Sequence, residues 1–336
     1  MAGRVQLLGV TSALPESIRS SAEVENMVAH HSRGFRPRKG SVEALSGIRA
    51  RRVAAGDVQC SDLAVLACRQ VLAQAQVDVS EVDLLIFSSA GQDLAEPATA
   101  NIVQAKLGTR CPVFDVKNAC NSFLNGVQIA ESLIVGGACR TALVTVGEVS
   151  SRVIAWESVD ASEFLRNFLG YTVGDAGGAV LLAQATDERG IFFRRFHSLS
   201  DNWDLMTVLG GGSMHPRDIE HTYLRTKGSR LKDVFIEHGV PILHQAMRDT
   251  GLRFKDFKRI FVHQVTLPYL REMLSATGIP VELVELTVVD LGNMAAASIP
   301  VAMARAMERG TVGPGDRVMC LGLASGISIG IMMIDL

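Results

Sequence analysis

The chain has 336 residues, of which 48% are hydrophobic and 20% charged, and its formal net charge is −2 at pH 7. A chain of this length can bury one large core or two fused ones, and its balanced charge argues against a general nucleic-acid binder. The six cysteines form no Cys-x-x-Cys pair and no metal-ligand spacing, which predicts a reduced, cytoplasmic protein without a metal.

Neither end of the chain predicts a membrane segment. The first residues lack the unbroken apolar core of a signal peptide and favour a strand at Val5–Val10. The tail Met319–Ile334 is apolar, but Gly322, Gly326 and Gly330 interrupt it. It therefore predicts two short buried strands around a glycine-rich turn, and no membrane contact.

Apolar runs of strand length alternate with helical patterns along the chain. The predicted strands are Val5–Val10, Leu84–Ser88, Val113–Val116, Thr141–Gly147, Gly178–Ala183, Arg259–Val262, Val284–Val289 and Arg317–Gly322. The predicted helices include Ser61–Gln74, Ala98–Lys106, Ser122–Val135, Leu231–Thr250, Tyr269–Ala276 and Ser298–Glu308. This alternation predicts an α/β protein with largely parallel sheets that are covered on both faces.

The order of elements repeats once. In each copy two strands, a sharp turn, a helix and a further strand follow one another, with Cys120 at the first turn and Asn293 at the second. His263 ends the strand that opens the second copy. Two related halves, residues 1–183 and 184–336, would bring these three side chains to one seam, because strand ends at such seams form ligand sites.

Cys120 ends a buried strand and precedes an amphipathic helix. The unpaired N–H groups and the dipole of a helix N-terminus favour thiolate over thiol, so this position suits a nucleophile. A thiolate can attack a thioester, and His263 and Asn293 can stabilise the resulting oxyanion or enolate. Taken singly, the cysteine also suits a small core residue, the histidine a structural one, and Gly292-Asn293 a plain turn.

Four segments together resemble the signature regions of the ketoacyl synthase III branch of the thiolase superfamily. They are Val113–Ala130, Phe261–Gln264, Gly292–Pro300 and Gly322–Ile334, and Gly174–Gly178 resembles the segment that joins the two halves of such proteins. The resemblance implies a five-layered αβαβα thiolase fold, a homodimer and a Cys120–His263–Asn293 triad. It also implies acyl thioesters on the phosphopantetheine arm of acyl carrier protein or on coenzyme A, with no further cofactor.

Departures from the initiating members of this family concern the carrier. Ser41 and Leu45 stand where such members have a Trp and an Arg that hold the coenzyme A nucleotide, which favours acyl carrier protein as the donor; the alternative is a nucleotide that is held differently. Val265 and Thr266 replace a usual Ala-Asn pair at the pantetheine contact. The resemblance also gives Arg152 as a candidate phosphate ligand near the tunnel mouth, with a plain surface arginine as the alternative.

Glu96 is the second departure. It lies in Glu96-Pro97-Ala98-Thr99-Ala100, which resembles head-to-head acyl-condensing synthases of olefin biosynthesis and pyrone-forming, chain-interconnecting ketosynthases, as does Ser325-Gly326-Ile327. Condensing two non-malonyl chains requires removal of an α-proton, so a carboxylate that reaches the partner's acyl tunnel would serve as the base. The alternative is a glutamate that merely favours the following helix N-terminus.

The leading hypothesis is an enzyme that joins two acyl thioesters, with β-ketoacyl chains as the expected substrates, without decarboxylation. Its products would be α-pyrone-like secondary metabolites or long-chain β-keto compounds. The alternatives are chain initiation with malonyl carrier protein, acyl transfer to an oxygen or nitrogen acceptor, and a non-catalytic partner subunit. The basic stretch Arg33–Lys39 is a candidate landing site for an acidic carrier.

Overall fold

The computed structural model describes residues 3–227 and 230–336. The strands are β1 (Val5–Ala13), β2 (Ile18–Ser20), β3 (Ala50–Arg52), β4 (Leu84–Ser88), β5 (Val113–Val116), β6 (Thr141–Glu148), β7 (Ala176–Gln184), β8 (Gly190–Ser198), β9 (Met206–Thr207), β10 (Arg225–Thr226), β11 (Arg259–Val262), β12 (Arg317–Ala324) and β13 (Ser328–Asp335). The helices are α1 (Ser21–His31), α2 (Ser41–Ser46), α3 (Cys60–Ala75), α4 (Thr99–Leu107), α5 (Ser122–Val135), α6 (Ala161–Asn167), α7 (Arg230–Val234), α8 (Val240–Thr250), α9 (Leu267–Thr277), α10 (Val288–Leu291) and α11 (Ser298–Glu308). In this part of the chain no helix is both long enough and apolar enough to cross a membrane.

Two sheets repeat one strand order. The first runs β1-β7-β6-β4-β5, and the second runs β8-β13-β12-β11 with a parallel bridge from Ile260 to Val284 at its far edge. In both sheets the first two pairings are antiparallel and the others are parallel. The prediction of largely parallel sheets was therefore wrong, whereas the two related halves are confirmed.

Side chains alternate between the two faces of each sheet, as the period of a strand requires. In β4, Leu84 and Ile86 join a central cluster with α5 and α11, whereas Leu85 and Phe87 join α3 and α4 on the outer face. In the second sheet, one face joins the same central cluster and the other packs against α8 and α9. The layers are therefore helix, sheet, helix, sheet, helix, and this position buries α5 and α11 deeply.

The predicted strand Val284–Val289 was wrong. Val284 makes one isolated bridge, a short 3-10 turn precedes it, and α10 begins at Val288. The side chain of Gln264 supplies the reason: its Oε1 accepts the N–H groups of Thr287 and Val288 at 3.0 and 3.1 Å. Backbone donors that are satisfied by a buried amide are not available to a sheet neighbour.

The predicted helix Leu231–Thr250 is interrupted, because a turn of π-helix at Phe235–Gly239 separates α7 from α8. The glycine-rich tail forms the predicted pair of buried strands, β12 and β13. In chain order, β7 is the last strand of the first sheet and ends at Gln184, and β8 is the first strand of the second sheet and begins at Gly190. The proposed division at residues 183 and 184 stays a prediction about independent halves.

Candidate active site

Cys120 lies in a tight turn between β5 and α5. Ala119 before it has φ 46°, a left-handed conformation that is rare for a residue with a side chain. The Ser122 hydroxyl holds this turn, because it donates to Ala119 O at 2.7 Å and accepts from the Asn118 N–H at 2.8 Å. The cysteine is thereby fixed two residues before the helix, with 6% of its surface exposed.

The predicted thiolate at Cys120 was wrong for the free protein. Burial, reinforced by the Glu148 carboxylate, raises the pKa of the Cys120 thiol to about 12. Loss of hydration disfavours the charged form more strongly than a helix N-terminus favours it at this depth. The thiol is therefore protonated at neutral pH, and a base has to take its proton during the reaction.

The His263 imidazole is the candidate for that base. Its backbone N–H continues the sheet by donating to Leu321 O at 3.0 Å, and its Nδ1 lies 3.1 Å from Ser298 Oγ. Burial lowers the pKa of His263 to about 4, an effect that the backbone of Ala295 partly offsets. The imidazole is therefore neutral at pH 7, so one ring nitrogen carries a proton and the other can accept one.

Asn293 is presented by a strained turn. Gly292 has φ 68°, and a Cβ there would lie 2.6 Å from Thr172 O. On either side, the Asn293 N–H donates to Thr172 O and the Gly174 N–H donates to Asn293 O, both at 2.9 Å. The Asn293 Oδ1 accepts the Ala295 N–H at 3.0 Å, which orients the side-chain amide so that its N–H groups point away from that contact.

The two halves meet at Asn121. Gly322 of β12, the residue after the carbonyl that holds His263, packs directly on the Asn121 amide and has no room for a side chain. Asn118 and Asn121 both donate to Ser328 Oγ of β13, at 3.1 and 3.0 Å. The cysteine turn is thereby fastened to the two strands beside His263.

The Asn293 turn completes the seam. The residues that follow it, Ala295–Ala297, contact α5 and the end of β6, and the Ala295 backbone also bonds the His263 imidazole. Cys120, His263 and Asn293 are all buried; Cys120 follows β5, His263 follows β11, and Asn293 follows α10. A thiol, a neutral imidazole and an amide, carried by segments that meet at this seam, are the groups that acyl transfer through a cysteine requires.

Comparison with known proteins identifies the family. Residues 114–201 match the model of 3-oxoacyl-[acyl-carrier-protein (ACP)] synthase III, and residues 247–336 match the model of its C-terminal part. A beta-ketoacyl-[acyl-carrier-protein] synthase III from Rhodospirillum centenum is 32% identical over 340 residues, which covers 98% of each chain. The chain belongs to the synthase III family. A second member, from Methylococcus capsulatus, is 32% identical over 286 residues, covering 85% of this chain and 86% of that one.

Solved structures of OleA from Xanthomonas campestris have the same fold. A variant of OleA with a glutamate replaced by alanine superposes with a TM-score of 0.90 at 25% identity, covering 100% of this chain and 99% of the other. A variant with a cysteine replaced by serine, with bound lauric acid and lauroyl-CoA, gives the same TM-score and identity over the whole of both chains. The expected thiolase fold is confirmed, and this synthase III chain is an acyl-condensing ketosynthase.

Glu96 lies on an exposed loop between β4 and α4 in this synthase, together with Leu94, Ala95 and Pro97. The N-terminus of α4 is capped by Asp115, whose two carboxylate oxygens accept the N–H groups of Thr99 and Ala100 at 2.8 and 2.7 Å. The helix therefore does not need Glu96 as its acidic partner. Within one chain Glu96 lies apart from the buried seam, and its catalytic role stays a prediction.

The other candidate ligands of the synthase have structural contacts. The exposed Arg152 donates to Gln59 Oε1 and Gly56 O at 2.8 Å and to Val58 O at 2.6 Å, so it fastens the 56–59 loop. The Thr266 hydroxyl caps α9 by accepting the Tyr269 N–H at 3.3 Å. Gly326, with φ 91°, forms the turn between β12 and β13. Their roles toward a substrate stay predictions.

Two residues of the site were not predicted from the sequence. Ser298, which orients the imidazole, follows an alanine run that reads as an ordinary helix start. Glu148 ends the apolar strand β6 and is 1% exposed, and a lone carboxylate in an apolar run is the signal that points to it. A group of potential metal ligands that the sequence did not suggest, His215, Asp218 and His221, lies on the loop before β10.

Proposed function

We propose that this synthase joins two acyl thioesters by a non-decarboxylative, Claisen-type condensation. The observation that carries the proposal is Glu96: it is exposed on a loop whose following helix is already capped by Asp115. A carboxylate that the fold of its own chain does not use is available for a partner subunit. The likeness to OleA, including variants of an OleA glutamate, supports the same conclusion.

The first half-reaction loads Cys120. The neutral His263 imidazole accepts the thiol proton as the sulfur attacks the thioester carbonyl, and Asn293 donates a hydrogen bond to the oxyanion. The carbon–sulfur bond to the carrier then breaks. The leaving thiolate takes the proton from His263, so the free carrier thiol and an acyl-cysteine result.

The second half-reaction forms the carbon–carbon bond. Glu96 of the partner subunit removes an α-proton from the second thioester, or a γ-proton where that chain is a β-ketoacyl group. His263 and Asn293 stabilise the enolate, whose carbon attacks the acyl carbonyl on Cys120. The bond to the cysteine sulfur breaks, the sulfur regains a proton, and Glu96 releases the proton it took. No oxidant, reductant or malonyl group is consumed.

The products would be β-keto thioesters, or α-pyrone-like rings when both chains are β-ketoacyl groups. A second candidate function is chain initiation with malonyl carrier protein, which the synthase III relatives at 32% identity favour. Both functions use Cys120, His263 and Asn293, and they differ in whether Glu96 takes a proton.

We also propose a cytoplasmic homodimer that receives its substrates from acyl carrier protein. Arg33, Arg36, Arg38 and Lys39 are all exposed between α1 and α2. The end of this basic segment is fixed, because the buried Glu25 carboxylate accepts the N–H groups of Gly40 and Val42, both at 2.9 Å. An ordered patch of four positive charges would speed encounter with an acidic carrier.

The test compares wild type, Cys120→Ala and Glu96→Gln with acyl and β-ketoacyl thioesters in the absence of any malonyl donor. Glu282→Gln, an exposed glutamate elsewhere, is the matched control. Intact-protein mass reports the acyl-enzyme, and extraction reports the product. We expect Glu96→Gln to be acylated at Cys120 without releasing product. Product that forms only with malonyl carrier protein, at equal rates in wild type and Glu96→Gln, would establish initiation instead.

A further inference from the structure

Glu148 is a buried carboxylate that accepts hydrogen bonds from the first half of the protein and lies beside the backbone of the second half. From the first half, Ser89 Oγ lies 2.8 Å from Oε1, and the N–H groups of Ala90 and Gly91 donate to Oε1 and Oε2 at 2.7 and 3.0 Å. From the second half, the backbone of Ala296 lies near the same carboxylate and lowers its pKa, and Ala295–Ala297 pack against β6. Gly91 and Ala296 are separated by 205 positions in the chain (296 − 91), so this side chain links two segments that are distant in sequence.

Each of these groups belongs to a segment that carries a site residue. Ser89–Gly91 is the root of the loop that presents Glu96, and Ala296 lies three residues after Asn293. Gln92 continues the loop and accepts from Lys117, three residues before Cys120, at 3.0 Å. From Leu94 to Pro97 the loop is exposed. The Glu96 loop is thus hydrogen-bonded beside the seam at its base and exposed to solvent at its tip.

We propose that Glu148 is a positioning residue, which ties the root of the Glu96 loop to the turn of Asn293 beside Cys120. The part of this inference that concerns Glu96 rests on the proposed function, whereas the part that concerns Cys120 and Asn293 holds for either function of the site. Glu148 touches no reacting atom in this account. It acts through the backbone of two loops and through its charge.

The hydroxyl of Ser89 shows how the charge is balanced. Ser89 Oγ lies 2.7 Å from Gly147 O as well as 2.8 Å from Glu148 Oε1, and a hydroxyl has one hydrogen. When Ser89 donates to Gly147, a proton on Glu148 completes the second contact. This agrees with burial, which raises the pKa of Glu148 to about 7 against the opposing effect of the polar groups around it.

The groups that face Glu148 are thiols. Burial raises the pKa of the Cys120 and Cys60 thiols, and the Glu148 charge raises both further; Asp93 and Asp175 act on Cys60 in the same direction. Cys60 Sγ and Glu148 Oε2 crowd Gly91, where a Cβ would lie 3.0 and 3.2 Å from them. An ionised Glu148 therefore disfavours the Cys120 thiolate, and removal of its charge should lower the pKa of the thiol.

Glu148→Gln tests the inference because it changes two measurable quantities in opposite directions. An amide keeps one acceptor oxygen and places N–H groups against the backbone donors, so we expect the rate of carbon–carbon bond formation to fall about tenfold or more. The missing charge should raise the alkylation rate of Cys120 by iodoacetamide at pH 8 roughly threefold or more, since one unit of thiol pKa changes the thiolate population tenfold. Peptide mapping separates Cys120 from the other five cysteines.

Two variants make the result specific. Glu131→Gln removes another buried carboxylate, on α5, whose Oε2 pairs with Arg194 at 2.9 Å, and it should leave the alkylation profile unchanged. Glu148→Asp retains the charge but shortens the reach, so alkylation should stay close to wild type while bond formation falls. Thermal unfolding of each variant confirms that it is folded.

If Glu148→Gln lowers the rates of Cys120 alkylation and of carbon–carbon bond formation by the same factor, the residue is merely structural. If Glu148→Gln and Glu131→Gln have the same two rates, the inference is also overturned. If wild type condenses only with a malonyl donor, the proposed function fails. Bond formation is then measured with that donor. A slower reaction with faster alkylation in Glu148→Gln would still support the positioning role.

Discussion

Gly322 is the point at which the two halves come closest beside the nucleophile. A Cβ at this position would overlap Asn121 Oδ1 and lie 3.0 Å from both Asn121 Cγ and Leu124 Cδ1. Gly322→Ala therefore forces the Asn121 side chain to move, and its hydrogen bond to Ser328 is lost. Overpacking costs about 1–3 kcal/mol and the hydrogen bond about 1 kcal/mol, which gives a loss of roughly 2–4 kcal/mol in the free energy of unfolding.

The assay is urea unfolding, combined with acylation of Cys120 by a thioester. Acylation should slow as well, because Asn121 directly follows the nucleophile. Gly313→Ala is the control, since nothing lies within 4 Å of a Cβ there. In the double variant Asn121→Ala/Gly322→Ala the clash is relieved, so the two costs should fall short of additivity by about 1 kcal/mol or more. Strictly additive costs, or a stable Gly322→Ala with normal acylation, would refute this account of the seam.

Three further outcomes follow from the site. Ser298→Ala removes the partner of His263 Nδ1 and should slow acylation about five- to tenfold, in line with one lost hydrogen bond; an unchanged pH–rate profile and rate would contradict the role of Ser298. Because the folded pKa of His263 is about 4 and an unfolded histidine titrates near 6.5, the unfolded state binds the proton first as pH falls. The contribution of His263 to stability should therefore be complete above pH 6.5 and decrease toward pH 4. In urea unfolding, the free energy of unfolding of His263→Asn should fall between pH 7 and pH 4 by roughly 3 kcal/mol less than that of wild type. Equal losses in the two proteins would contradict a buried neutral imidazole. The pair Arg36→Glu and Arg38→Glu should slow acylation from acyl carrier protein at low salt and spare a small synthetic thioester, whereas equal rates on both would exclude a carrier surface there.

The positions of the three central residues could be predicted from the sequence because they depend on local order. In each half a sharp turn stands directly before a buried helix, with Cys120 in the turn before α5 and Asn293 in the turn before α11. The protonation state of Cys120 could not be predicted in the same way. It depends on burial under the opposite half and on the Glu148 carboxylate, which only the folded chain brings together.

Long-range hydrogen bonds account for the errors. Val284–Val289 has the composition of a buried strand, but Gln264, more than twenty residues earlier, takes the N–H groups of Thr287 and Val288. Glu148 likewise bonds a loop 57 to 59 positions before it and lies near a turn in the other half. Patterns of period 2 or 3.6 contain no information about such partners.

In the proposed reaction Glu96 removes a proton from an unactivated acyl chain. The most direct measurement is the initial rate of condensation with a second thioester that carries deuterium at its α-carbon, without any malonyl donor. In wild type we expect the deuterated thioester to condense more slowly than the same thioester with hydrogen at its α-carbon. In Glu96→Gln we expect Cys120 to be acylated without forming product. A rate that does not depend on the isotope or on Glu96, or product only after malonyl carrier protein is added, would contradict this role of Glu96.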